Sequence, residues 1–128
     1  MEVLGDSVWT EPQKIFLDEA LGRLARIVDR AGEKGIKVIG IIFPQAPQYR
    51  ETGSFGAYGI QRSYAAEKIA WLDSLAKAKP NFYLMDENKM GFHDYVDDEA
   101  ENQDHLSSKG AAKLTARLDS LLRKIEGE

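Results

Sequence analysis

Between residues 10 and 31 the apolar positions recur at helical spacing, with Phe16, Ala20, Leu21, Leu24, Ile27 and Val28 on one face. Thr10 precedes them as an N-cap. Glu11 suits the positive end of the helix dipole, and Pro12 fits a first turn that needs no amide donor. Gly32 and Gly35 end the pattern. The spacing predicts a helix over 10–31 that buries this face.

The period then changes. Residues 36–43 read Ile-Lys-Val-Ile-Gly-Ile-Ile-Phe, a β-branched run broken only by Lys37, as suits a parallel strand covered by helices on both faces. Pro44 cannot donate to a ladder and ends it. Helical spacing returns over 63–78, with Ala65, Ile69, Leu72 and Ala76 on the buried face, and stops at Pro80. Asn-Phe-Tyr-Leu-Met over 81–85 is a second short strand. A third helix starts near Ser107, its cap, with Ala111, Leu114, Thr115, Leu118, Leu121, Leu122 and Ile125 along one face. Residues 1–4 read as a stub strand.

Strands alternating with helices imply right-handed crossovers and a parallel sheet. The expected fold is therefore α/β: three layers, α/β/α, around a small flavodoxin-like parallel sheet. Ligands of such sheets bind beyond the carboxyl ends of the strands. Two long irregular segments, 44–61 and 86–104, leave from those ends, as does the Gly5-Asp6-Ser7 turn if 1–4 is a strand. Loops of that length in a compact domain are uncommon and often functional.

Composition narrows the function classes. A chain of 128 residues, 43% hydrophobic and 30% charged, fits one globular domain. Its formal net charge of −4, with Lys and Arg spread along the chain, argues against a nucleic-acid or anionic-membrane partner. The absence of cysteine excludes disulfides and thiolate metal sites. No apolar run approaches the roughly 20 residues that span a bilayer, so no membrane contact is expected from this chain. The first residues lack the basic and apolar regions of a signal peptide. No Walker or dinucleotide pattern occurs, and no cofactor is expected.

His105 is the leading candidate for chemistry. It lies in Asn102-Gln103-Asp104-His105-Leu106-Ser107, at the end of a long loop and two residues before a helix cap, where its ring can face the crevice for proton transfer. The plain alternative is a loop histidine bonded to backbone.

The run Asp104-His105-Leu106-Ser107-Ser108-Lys109-Gly110-Ala111, followed by an amphipathic helix, resembles the closing block of SGNH (GDSL-type) hydrolases. Lys34-Gly35-Ile36-Lys37-Val38-Ile39-Gly40-Ile41-Ile42-Phe43-Pro44 is similar to a late strand of that fold, which often ends in proline. The resemblance runs from about Leu24 to the C-terminus. It implies an esterase in which His105 is the general base, with an aspartate three residues earlier. Here that position is Asn102, which can orient the ring but supplies no charge. Asp104, Asp98 or Asp97 could substitute, and the acid stays open.

Gly5-Asp6-Ser7 spells the signature that carries the nucleophile of this family, which makes Ser7 a candidate. Counted back from the 36–43 strand, however, that turn falls where the family has Gly-x-Asn-Asp, and no asparagine occurs before Asn81. The favoured expectation is a C-terminal portion of a larger hydrolase-like domain. Pro47-Gln48-Tyr49-Arg50-Glu51-Thr52-Gly53-Ser54-Phe55-Gly56 and Tyr58-Gly59-Ile60-Gln61-Arg62-Ser63 also resemble a large bacterial lipoprotein family of unassigned activity. That likeness alone suggests a cell-envelope or secreted setting.

Within the first loop, Tyr49, Phe55 and Tyr58 beside Arg50 and Arg62 provide stacking faces and fixed positive charge, as a saccharide site requires. Equally, the aromatics could pack the loop onto the sheet, with Arg50 paired to Glu51 or Asp86. The acidic loop residues Asp94, Asp97, Asp98, Glu99, Glu101 and Asp104, with His93 and His105, match no EF-hand or zinc spacing and read as a solvated loop rather than a metal site. Two functions follow from these readings: a hydrolase of acylated carbohydrate, or an incomplete hydrolase-like domain that binds a saccharide or a protein. A small sheet also leaves an open edge, which predicts self-association or contact with the rest of a parent protein.

Overall fold

The computed structural model describes residues 3, 10–57 and 59–127. Gly5-Asp6-Ser7, the stub strand at 1–4 and Tyr58 fall outside them, Val3 excepted. Helix α1 (Glu11–Glu33) is followed by strand β1 (Val38–Ile42), helix α2 (Arg62–Ala78), strand β2 (Phe82–Asp86) and helix α3 (Ser108–Ile125), with short 3₁₀ turns in the two long connections. This is the α/β architecture expected of the alternating pattern.

The strands pair in parallel, Val38 opposite Phe82 and Ile42 opposite Asp86. They form a two-stranded sheet among the described residues. Side chains alternate across it. On one face Val38, Phe82 and Leu84 meet Leu24, Ala25 and Val28 of α1 and Leu72, Leu75 and Ala76 of α2. On the other, Ile41 and Met85 meet Tyr95, Leu106 and Leu114, Leu118 and Leu121 of α3. Two helices thus cover one face and one covers the other.

The local signals act as anticipated at the helix starts. At α1 the Gln13 side chain accepts the Thr10 amide proton at 2.7 Å. At α3 the Ser107 hydroxyl accepts from Gly110 N at 3.2 Å. Three expectations about burial need correction. Phe16 and Ile27 are 70% and 58% exposed, because α1 turns its Leu24–Val28 side to the sheet. Every residue of β1 is only half-buried, because among the described residues the strand has a neighbour on one side alone. Ala111, Thr115 and Leu122 of α3 face outward.

Candidate functional site

Both long connections leave the carboxyl ends of β1 and β2 and fold against each other there. His93 Nε2 bonds the Gln45 carbonyl, and Ala46 N donates to the Gln103 carbonyl at 2.8 Å. Asn88, 2% exposed, donates to the Phe43 carbonyl at 3.0 Å and accepts from Gly91 N at 3.0 Å. The Asp86-Glu87-Asn88 group therefore ties strand ends together. Between the connections lies a cleft of about 390 Å³, walled by Pro44, Pro47, Val96 and Leu106 and bearing His93, His105, Asn102 and Asp97.

His105 sits on a tight turn. Ala100 and Leu106 form an antiparallel bridge, and the amides of Glu101 and Asn102 donate to the His105 carbonyl at 3.0 and 3.4 Å. Ser107 N donates to the Glu99 carbonyl at 3.0 Å, which brings the turn against the start of α3. Gly110 makes that approach possible: a Cβ there would meet the Glu99 carbonyl oxygen at 2.0 Å. The Tyr49 hydroxyl donates to Asp104 Oδ1 at 3.1 Å and braces the turn from the β1 side.

The two cleft histidines carry opposite tautomers, which their partners fix. Asp104 N donates to Asn102 Oδ1 at 2.9 Å, so that atom is an acceptor. His105 Nδ1 lies 2.9 Å from the same oxygen and must carry the ring proton. Its Nε2 then holds a lone pair, and that atom has no partner among the described residues. At His93 the roles reverse: Tyr95 N donates to Nδ1 at 3.2 Å, so Nε2–H donates to the Gln45 carbonyl. Both nitrogens of His93 hold the loops together. Only His105 is equipped as a base.

Asn102 therefore occupies the orienting position that the SGNH resemblance assigns to an aspartate. Asp104 bonds Tyr49 rather than the ring, and Asp98 pairs with Lys109 at 3.1 Å. Asp97 lines the cleft with a left-handed backbone, φ 50°.

The remaining sequence candidates lie elsewhere. Tyr49 is buried, 1% exposed. Arg50 stacks on Phe92 at 4.5 Å and donates to the Pro47 carbonyl at 3.0 Å, not to Glu51 or Asp86. Arg62 donates to the Met90 carbonyl at 2.7 Å, and Phe55 is half-buried. None of these four lines the cleft. Ser7 and Tyr58 are outside the described residues.

The acidic loop is not a free solvated run. Arg117 of α3 bonds Glu87 Oε1 at 2.9 Å and grips the Asp94 carboxylate at 2.8 and 2.5 Å. Lys113 pairs with Glu99 at 3.0 Å, and both cations flank the Tyr95 ring at 4.8 and 5.2 Å. Tyr95, 4% exposed, donates to Glu87 at 2.7 Å. The Arg117 hydrogen bonds lower the Asp94 pKa to about 2, and burial raises that of Tyr95. Sequence reasoning missed this network, although Lys109, Lys113 and Arg117 share one side of α3 at helical spacing. Among the described residues no cluster of His, Asp and Glu could hold a metal ion, and no helix is long and apolar enough to cross a membrane.

No protein-family model, no curated protein and no solved structure matches the chain.

Proposed function

We propose that this is an SGNH-like ester hydrolase domain acting on acylated carbohydrate, with His105 as general base. The observation that carries the reading is the His105 ring, held through Nδ1 by Asn102 with Nε2 unengaged, at a cleft beyond the carboxyl ends of parallel strands. In that role Nε2 takes the proton of a hydroxyl as it attacks the ester carbonyl, then returns it to the leaving alcohol. Ser7 is the nucleophile the family resemblance suggests. Asn102 keeps the tautomer correct but leaves the imidazolium without the anion that a triad supplies.

A second reading rests on what lines the cleft. Its described residues include no serine, threonine or cysteine, and the Tyr95 hydroxyl is bonded to Glu87. An incomplete hydrolase-like domain that binds a saccharide or a protein partner would have this composition.

Hydrolysis of a short-chain aryl ester separates the two. The hydrolase reading expects His105→Ala to lose about 10²-fold or more of the rate, and Asn102→Asp to gain about tenfold by adding the missing charge. Rates equal to buffer for wild type and both variants would overturn it and leave the binding reading, to be tested by calorimetric titration with oligosaccharides.

A further inference from the structure

The polar groups of the cleft divide into those engaged within the protein and those left over. Both ring nitrogens of His93 are engaged, as is Asn102 Oδ1. Beside the lone pair of His105 Nε2 there remain one donor and one acceptor. Because Asn102 Oδ1 takes the Asp104 amide proton, the other end of that side chain is Nδ2, whose two protons have no acceptor among the described residues. Asp104 N and His105 Nδ1 each lie 2.9 Å from Oδ1, so the amide is held and its donor edge is fixed. The acceptor is Asp97. Along the acidic loop Asp94 is gripped by Arg117, Asp98 pairs with Lys109, Glu99 pairs with Lys113, and Asp104 accepts from Tyr49. Asp97 alone of the loop's acids lines the cleft, and its carboxylate has no hydrogen bond or ion pair among the described residues. Its φ of 50° is a left-handed backbone that glycine takes freely and a residue with a Cβ takes at a cost. A carboxylate thus stands at the cleft where the turn by itself would favour glycine.

We propose that Asp97 and Asn102 are the residues that recognise the sugar: Asp97 accepts a proton from one hydroxyl of an uncharged sugar unit, and Asn102 Nδ2 donates to the oxygen of another. A hydroxyl both gives and accepts, so a sugar satisfies an acceptor-only group and a donor-only group at once. A ligand carboxylate or phosphate would suit Asn102 but oppose Asp97. An ester without hydroxyls would leave both groups without partners. A volume of about 390 Å³ is within the range of small-ligand sites. The inference rests on the carbohydrate reading of the cleft proposed above and adds what selects the ligand, free hydroxyls on a neutral sugar.

Two acetyl esters test it, methyl 2-O-acetylxyloside, which keeps free hydroxyls, and cyclohexyl acetate, which has none. Wild type is expected to favour the xyloside about thirtyfold or more in kcat/KM, and Asp97→Asn to lower that preference about tenfold through KM. Asp97→Gly should lower it as much without lowering the thermal unfolding midpoint, since glycine fits this backbone. Asn102→Asp keeps Oδ1 and removes only the donors, so it should raise KM for the xyloside more than for cyclohexyl acetate. A wild type without the preference, a preference that Asp97→Asn leaves intact, a midpoint lowered in Asp97→Gly, or equal KM rises in Asn102→Asp would each overturn the assignment. Hydrolysis of both esters that His105→Ala abolishes would still uphold the hydrolase reading. If wild type hydrolyses neither ester, that reading falls, and NMR titration of the full chain with methyl xyloside decides. Amide shifts around the cleft that need about tenfold more sugar in Asp97→Asn support the assignment. No shifts in wild type overturn it.

Discussion

Replacing Arg117 by methionine removes a cation from beside a buried carboxylate while leaving most of the apolar stem that packs along Tyr95. Glu87 is 7% exposed, and among the described residues its carboxylate keeps only the Tyr95 hydroxyl at 2.7 Å once the 2.9 Å bond from Arg117 is gone. Breaking one partner of a fully buried pair costs about 3–5 kcal/mol. The Arg117 side chain is 34% exposed, so water reaches the site and relieves part of that cost. The Asp94 carboxylate is 60% exposed, so its half of the grip adds only about 0–1 kcal/mol. The expected loss is about 2–3 kcal/mol, a large share of a small domain's stability. Urea unfolding at neutral pH measures it, with the slope held in common. Lys109→Ala, which removes an ion pair exposed on both sides, is the control and should cost under about 0.5 kcal/mol. Arg117→Met within about 0.5 kcal/mol of wild type would refute the reasoning, as would a Glu87→Gln/Arg117→Met double variant showing the full sum of the two single losses.

The same network sets the acid limit of stability. Arg117 lowers the Asp94 pKa to about 2, and Glu99 is lowered by its Val96 amide bond and by Lys113. A carboxylate depressed on folding stabilises above its ordinary pKa of about 4, and that contribution fades as pH falls toward the folded value. The urea midpoint of wild type should therefore drop between pH 4 and pH 2 more steeply than that of Arg117→Met, and equal slopes would contradict this origin. At Gly110 an added methyl group meets a backbone carbonyl that cannot rotate away, so Gly110→Ala should cost about 1–3 kcal/mol and displace the turn bearing His105. Thermal unfolding and the ester assay read both effects; an unaltered midpoint would argue against close packing there.

Much of the fold was legible because its signals are local. Caps at Thr10 and Ser107, the proline stops at 44 and 80, and the β-branched run of β1 act within a few residues of where they stand. The rotation of α1 was not legible. Its apolar arc is wide enough to serve two directions, and which part meets the sheet depends on where α2 lies, which spacing in one helix does not encode. At the site, His105 and Asn102 stood out because a motif of four residues sets their geometry. The role of His93 depends on the Gln45 carbonyl, far away in sequence, and only the folded loops bring the two together. Tyr49 and Arg62 looked like ligand contacts for the same reason: their partners, Asp104 and the Met90 carbonyl, are also remote.

The placement of charge bears on what the cleft can take. Lys109, Lys113 and Arg117 all pair with the acidic loop, Arg62 bonds the Met90 carbonyl, and Arg50 lies on Phe92. Among the described residues no lysine or arginine lines the cleft, and Asp97 is the one fixed charge there. An anionic group such as a phosphate or sugar carboxylate would meet no counter-ion there and a carboxylate of its own sign. An uncharged ester meets proline, valine and leucine walls and a single imidazole nitrogen able to accept a proton. Under the hydrolase reading proposed above, that distribution favours an uncharged ester over a charged one. It also explains how a chain with an acidic balance can bring its basic residues to the same edge and still leave the site without positive charge.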